Sequence, residues 1–157
     1  MLKKYKAYNN AHIGGILKIK TFKDGKLVRE IGPFKNKVVT SAGYGRNLLL
    51  RWMAGETTYP IVIDSASIGD SATAAADGDT ALGNSLVSGI NITNNAVVNN
   101  VMTVDVFIPD GELPDDTYQE FGLFMSGRLL SRIIISPAFT KASGEDSLFV
   151  YELTFTG

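Results

Sequence analysis

Apolar and charged residues alternate along the first part of the chain, on either side of the tetrapeptide Lys23-Asp24-Gly25-Lys26. The alternation covers residues 16–22 and 27–31, as in strands that bury one face. Asp-Gly between two such runs favours a type I′ turn, because glycine adopts a positive φ without steric cost. These residues predict a β-hairpin, and a two-stranded ribbon has to pack on a sheet or on a neighbouring subunit to be stable.

One segment, residues 40–54, has the spacing of a helix. Tyr44, Leu48 and Trp52 recur at helical intervals and would form one stripe, with Leu49 and Met53 beside it. Thr40 or Ser41 can act as the N-cap of this helix. Alternatively the helix starts later, near Arg46, because Gly43 and Gly45 lower helix propensity. Gly55 suits the left-handed position that ends a helix.

Beyond Pro60 the chain is a series of short segments rich in Val, Ile, Phe and Thr, bounded by Asn, Gly, Pro or Asp. The last segment alternates, which puts Phe149, Tyr151, Leu153 and Phe155 on one face. We therefore expect a mainly β fold, an antiparallel β-sandwich with one short α-helix and an N-terminal β-hairpin arm. The expected domains are a basic hairpin arm at 1–35 and a sandwich at 36–157. The predicted strands are 61–63, 66–68, 86–93, 96–109, 121–125, 129–136 and 148–156, with hairpin turns at Asn94-Asn95 and Ser126-Gly127-Arg128.

Charge is divided unevenly along the chain, although the net charge of the 157 residues is only −1. Residues 1–60 contain twelve Lys or Arg and three Asp or Glu, whereas residues 61–157 contain three and thirteen. Halves of opposite charge can pair inside one domain, and they can also attract the front of one copy to the back of another. This division favours a protein that assembles with copies of itself.

Composition and motifs give no support to several kinds of chemistry. The chain has no cysteine, so disulfides and thiol chemistry are excluded. Its only histidine, His12, has no catalytic partner at a familiar spacing, and phosphate-loop, nucleotide and hydrolase signatures are absent from the sequence. Few aromatic residues interleave with the lysines, and no apolar run has the length of a membrane span. We expect a non-enzyme without cofactor, nucleic acid or membrane as partner.

Two acidic segments raise the question of metal binding or catalysis. Asp77-Gly78-Asp79 and Asp110-Gly111-Glu112 offer oxygen ligands, but neither has the spacing of a calcium loop, so no metal site is predicted. A glycoside hydrolase would need two facing carboxylates, for which Asp115 and Glu120 are candidates. Solvated turns are the more common role of such acidic loops.

A set of short motifs occurs in a particular order from the helix candidate onward. Ile68-Gly69-Asp70-Ser71 is followed by Asp79-Thr80-Ala81-Leu82-Gly83-Asn84, then by Glu120-Phe121-Gly122-Leu123-Phe124 and by Leu129-Leu130-Ser131-Arg132. In this order the chain, over residues 36–157, resembles a group of bacteriophage tail-fibre and other virion structural proteins. After Asn84 it departs from their pattern, because Ser85-Leu86-Val87-Ser88 stands where an acidic and a basic residue are expected.

The same motifs have a physical interpretation. Glu120 lies in an apolar strand, so if buried it would need Arg128, Arg132 or backbone N–H groups as partners. Gly122 would let another group approach closely. Asp79 would cap the short turn opened by Thr80, and Leu82 would enter the core and anchor the long loop.

The resemblance and the charge division lead to one functional hypothesis. We expect a structural component of a phage virion (tail fibre, collar, baseplate or capsid surface) that self-assembles, docks on other virion proteins and is assembled in the host cytoplasm. The alternatives are a capsid decoration protein and a receptor- or carbohydrate-binding module for host surface glycans, with Tyr59, Tyr118 and Phe139 as candidate contacts. The interface candidates, in a head-to-tail contact, are Lys18, Lys20, Lys23, Lys26 and Arg29 on the hairpin and Asp110, Glu112, Asp115 and Asp116 on the acidic loop.

Overall fold

The computed structural model describes residues 11–156 of the chain. Within that range the chain forms nine strands, one α-helix and one short 3-10 turn. In chain order these elements are β1 (His12–Lys23), β2 (Lys26–Val38), α1 (Gly45–Met53), β3 (Ile63–Gly69), β4 (Ser85–Asn91), β5 (Asn94–Val98), β6 (Val101–Ile108), the 3-10 turn (Asp110–Glu112), β7 (Thr117–Met125), β8 (Arg128–Thr140) and β9 (Glu145–Thr156).

All neighbouring strands are antiparallel, in the order β4-β3-β7-β8-β2-β1-β9-β6-β5. The sheet curls so that its two halves face each other across one core. The long strand β2 links the halves, because residues 26–35 pair with β1 whereas Asn36–Val38 pair with β8. The chain also passes directly from one half to the other between β4 and β5, which only Ile92 and Thr93 separate. The predicted mainly β, antiparallel fold with one short helix is confirmed.

Aromatic rings join the two halves of the sheet at the centre of the core. Phe121 of β7 stacks on Phe149 of β9 with ring centroids 5.2 Å apart, and Phe139 meets Phe149 edge to face at 5.7 Å. All three side chains are buried. The alternation predicted for the last strand is correct, because Phe149, Tyr151 and Leu153 are buried while the residues between them are partly exposed.

The predicted N-terminal hairpin is confirmed, with both turn residues, Asp24 and Gly25, at positive φ. Of the two placements that the sequence left open, the structure shows packing within the chain's own sheet. Strand β1 pairs with β9 along its whole length, from His12 opposite Thr156 to Lys23 opposite Glu145. The expected boundary between residues 35 and 36 therefore falls inside β2.

The helix is shorter than the segment predicted from apolar spacing. It begins at Gly45, and its N-cap residue is Tyr44, which makes no side-chain capping bond, so the N-cap expected at Thr40 or Ser41 is wrong. The alternative of a start near Arg46 is correct. Gly55 follows the helix with φ of 88°, as its predicted role as a left-handed stop requires.

One predicted turn is misplaced. Asn94 and Asn95 lie inside β5, opposite Asp105 and Val104 of β6, and the hairpin turns five residues later at Asn99-Asn100. Asn99 has φ of 54°, a conformation that asparagine tolerates better than most residues. The turn predicted at Ser126-Gly127-Arg128 is confirmed, with positive φ at its first two residues.

The sandwich has two ends of different chemistry. The turn between β1 and β2 lies at one end, beside the acidic loop and the connection from β8 to β9; we call residues 23–29, 110–116 and 140–146 the charged end. The start of β1, the finish of β9 and helix α1 lie at the other, which we call the apolar end. Within residues 11–156, no helix has the length and apolar character needed to cross a membrane.

Candidate functional site

A buried lysine organises the charged end. The side chain of Lys141 is 1 % exposed, and its ammonium group forms ion pairs with Asp110 and Asp115 of the acidic loop. The N–H of Gly144 donates to the Asp110 carboxylate at 2.9 Å, and the N–H of Asp110 donates to Asp146 at 2.9 Å. The acidic loop is therefore fixed to the connection between β8 and β9 by charge and by hydrogen bonds.

These contacts shift the pKa of Asp110 below its ordinary value, mainly through the hydrogen bond from Lys141. A carboxyl whose pKa is lowered by folding stabilises the folded state above its unfolded pKa of about 3.9. That stabilisation is lost as the pH falls through the lower, folded value. The charged end is therefore expected to keep its order at neutral and mildly acidic pH.

The nine interface candidates are not equivalent in the structure. Arg29 pairs with Glu145 at 3.3 Å, and Asp110 and Asp115 pair with Lys141. The rest make no ion pair with any residue between 11 and 156. Two of these, Lys18 and Lys20, lie in the middle of β1, away from the turn. The candidates that remain unpaired at the charged end are Lys23, Lys26, Glu112 and Asp116.

The sequence motifs after the helix converge on one buried carboxylate. Glu120 of β7 lies on the outer surface of the sheet, yet it is fully buried because residues 70–84 form a loop that covers it. Its two oxygens accept the N–H groups of Asn84 at 2.7 Å, Gly83 at 2.8 Å and Ser71 at 3.4 Å. One carboxylate thus holds both ends of the loop.

An arginine on the neighbouring strand completes this anchor. The Nε of Arg132 in β8 donates to Glu120 at 2.8 Å, and its other nitrogens donate to Asp79 at 3.1 Å and to the carbonyl of Thr73 at 2.9 Å. The Arg132 side chain is only 3 % exposed. We call Glu120, Arg132 and Asp79 the loop anchor. Of the two arginines considered for Glu120, Arg132 is the partner.

The remaining motif residues pack around this anchor. A side chain at Gly122 would collide with Leu82 of the loop, whose Cδ2 lies 2.8 Å from the position that a Cβ would occupy. Gly122 therefore permits the close approach expected from the sequence, and Leu82 is the group that approaches. Leu82 packs on the outer surface of the sheet, so its expected place in the core is wrong. Arg128, the other candidate partner, instead lies 3.9 Å from the centre of the Tyr59 ring and 4.8 Å from that of Tyr44.

The aromatic residues considered for glycan binding differ in exposure. Tyr118 and Phe139 are each 1 % exposed and belong to the core, where their rings lie 6.3 Å apart. Tyr59 is 39 % exposed, but one face of its ring is occupied by Arg128. The structure therefore does not bring these three residues together on one surface.

An open groove of about 850 Å³ lies at the apolar end, between α1 and the ends of β1 and β9. Ile13 and Trp52 line it together with Leu50, Met53 and Phe155. The last three residues are 62 %, 85 % and 48 % exposed. No residue between 11 and 156 covers their apolar surface. The sequence placed Met53 beside the helix stripe but gave no sign that Met53 and Leu50 would be exposed while Leu48 of the stripe is buried.

One cationic side chain borders this groove. Arg46, in the first turn of α1, is half-buried, and its buried Nε has no hydrogen-bond acceptor among residues 11–156. Arg51, one turn further along α1, is by contrast paired with Glu56 at 2.7 Å. The groove thus combines apolar walls with an unsatisfied hydrogen-bond donor.

A buried tyrosine lies where β2 passes between the two halves of the sheet. Tyr151 is fully buried; its hydroxyl accepts a hydrogen bond from Asn36 and lies 2.8 Å from the hydroxyl of Ser131. Burial raises the pKa of Tyr151 to about 12. In the unfolded chain the pKa of tyrosine is about 10.

We expect this tyrosine to destabilise the protein in alkali. Between pH 10 and pH 12 the unfolded chain loses the phenolic proton while the folded chain keeps it, so the free energy of unfolding falls by roughly 3 kcal/mol. In Tyr151→Phe this part of the decrease is absent, whereas Tyr59→Phe retains it. Urea titrations at pH 7, 9, 11 and 12 measure the difference. If the free energy of unfolding fell equally with pH in wild type and in Tyr151→Phe, this role of the hydroxyl would be excluded.

Comparison with known proteins adds no relative. Family models, curated proteins and solved structures were all compared with the chain, and none of them matches it.

Proposed function

We propose that this chain is a structural component of a bacteriophage virion that self-associates and docks on neighbouring virion proteins. The observation that carries the proposal is the groove at the apolar end, with Leu50, Met53 and Phe155 exposed around it. Exposed apolar patches on soluble proteins mark interaction surfaces, because water contact with apolar groups is unfavourable. A neighbouring protein with apolar side chains would cover this surface.

The carboxylates considered for catalysis support a structural role. Glu120 is fully buried and accepts hydrogen bonds from three backbone N–H groups and Arg132, and Asp115 is paired with Lys141. Both carboxylates therefore stabilise loops. Loops held in this way give a particle component fixed surfaces for its neighbours.

The unpaired residues of the charged end also support self-association, but through a two-fold contact rather than a head-to-tail one. Lys23 and Lys26 lie beside the acidic loop that carries Glu112 and Asp116, because Lys23 is opposite Glu145 and Gly144 is bonded to Asp110. A head-to-tail contact needs its two patches on different sides of a subunit. Adjacent patches of opposite sign instead suit a two-fold contact, in which each basic turn faces the acidic loop of the other copy.

The groove can be tested with Met53→Lys. Because Met53 is 85 % exposed, we expect the free energy of unfolding to change by no more than about 0.5 kcal/mol. A charge in the groove would nevertheless prevent docking, so the variant should be lost from phage particles when it replaces the wild-type chain. Leu86→Lys, on the distant strand β4, is the matched control and should be incorporated normally. Incorporation of Met53→Lys at the wild-type level would contradict the proposal.

A further inference from the structure

Strand β5 forms an open edge of the sheet. It is the last strand in the sheet order, and on its outer side no strand among residues 11–156 pairs with it. All five of its residues are exposed, and Val97 and Val98 are each 68 % exposed. Such an edge presents free N–H and C=O groups that another strand can use.

The two edges of this sheet differ in protection. Strand β4, the other edge, has two register irregularities against β3, and Gly89 within it has φ of 69°. Such irregularities hinder the addition of another strand. Strand β5 pairs with β6 without a register shift, and it contains no charged residue, proline or glycine. The edge without protection is therefore β5.

We propose that β5 pairs antiparallel with β5 of a second copy of this chain, across a two-fold axis at Val97. This inference specifies the partner in the self-association proposed above and rests on that proposal. In this register Val97 faces Val97, and Ala96 faces Val98. Apolar side chains thus meet on both faces of the joint sheet, and no like charges are brought together.

The self-complementary sequence favours a second copy over an unrelated strand. A two-fold contact closes with two chains, so this edge would produce a dimer with a continuous sheet. In this register three residues of each strand, Ala96 to Val98, pair with one another, and they bury less than the roughly 800 Å² per partner of a standard interface. We therefore expect a weak dimer in solution, with Kd on the order of 100 µM, strengthened in a particle by high local concentration.

Charge substitutions at the proposed axis provide a sharp test. Val97→Lys and Val97→Glu each place two like charges opposite each other, and each should raise the Kd measured by sedimentation equilibrium at least about tenfold. An equimolar mixture of the two variants should restore association, because opposite charges then meet. Leu86→Lys on β4 is the matched control and should associate like wild type. Circular dichroism checks that all variants are folded.

Three results would overturn the β5 pairing: a wild-type chain that stays monomeric up to about 1 mM, a mixture that associates no better than its components, or a Leu86→Lys control that weakens association equally. These failures are distinguishable from failure of the proposed function. If the chain is found in phage particles but gives any of these three results, the β5 pairing is wrong and the proposed virion role stands.

Discussion

We expect Glu120→Ala to lower the free energy of unfolding by about 3–5 kcal/mol, the range for removing one partner of a buried ion pair. The variant leaves Arg132 buried without its main counter-charge and leaves the N–H groups of Ser71, Gly83 and Asn84 without their acceptor. Urea unfolding measures the loss. Hydrogen exchange should also become faster across residues 70–84, because the loop loses the group that holds it to the sheet.

Two control variants separate the anchor from a general effect of charge. Arg51→Gln breaks a pair with Glu56 whose side chains are 43 % and 58 % exposed, so it should cost no more than about 0.5 kcal/mol. Glu120→Gln keeps an oxygen for the loop amides but removes the negative charge, and its cost should fall between the two. If Glu120→Ala were no more destabilising than Arg51→Gln, the loop anchor would have no role in stability.

The second large effect is expected at the contact between the two halves of the sheet. Phe149→Ala should destabilise the protein by about 3–5 kcal/mol, since it removes a buried ring and leaves a cavity beside Phe121 and Phe139. Phe155→Ala is a well-matched control, because Phe155 lies on the same strand and face but is 48 % exposed. Its cost should be about 1 kcal/mol or less.

Urea unfolding of both variants makes this comparison directly. A crystal structure of Phe149→Ala, or its binding of a small apolar molecule such as benzene, would report whether the cavity stays open. Equal losses for Phe149→Ala and Phe155→Ala would show that the two halves of the sheet do not pack as described.

Features that depend on a few adjacent residues were predictable from the sequence. The Asp24-Gly25 turn and the alternation of the last strand follow from local backbone preference and the two-residue period of strands. The Asn94-Asn95 turn was not predictable, because the chain offers a second Asn pair at Asn99-Asn100. Pairing of β6 with β9 selects the register in which the second pair forms the turn.

Features that depend on distant residues could be predicted only in part. The sequence required a partner for Glu120 and offered Arg128 and Arg132, both on the next strand. The register between β7 and β8 decides between them: Glu120 is opposite Ile134, close to Arg132, whereas Arg128 is opposite Met125 at the far end. The covering loop then makes this pair a buried one.

The burial of Lys141 had no local signal. Its neighbours in sequence are small or polar, as in an ordinary surface loop. The only indication was an excess of acidic residues at 110–116, which predicts that some cation lies nearby without saying which. Strand β1 of the hairpin pairs with β9, which is more than 100 residues later in the sequence. A contact between residues so far apart cannot be inferred from local pattern.

The central claim, that this chain is a structural part of a phage particle, is tested most directly by labelling purified virions with an antibody raised against it. We expect electron microscopy to show the label at a fixed position on every particle, with quantitative mass spectrometry of the same virions giving a constant copy number. Virions without label, from cells in which the chain is abundant as a free monomer, would contradict the claim.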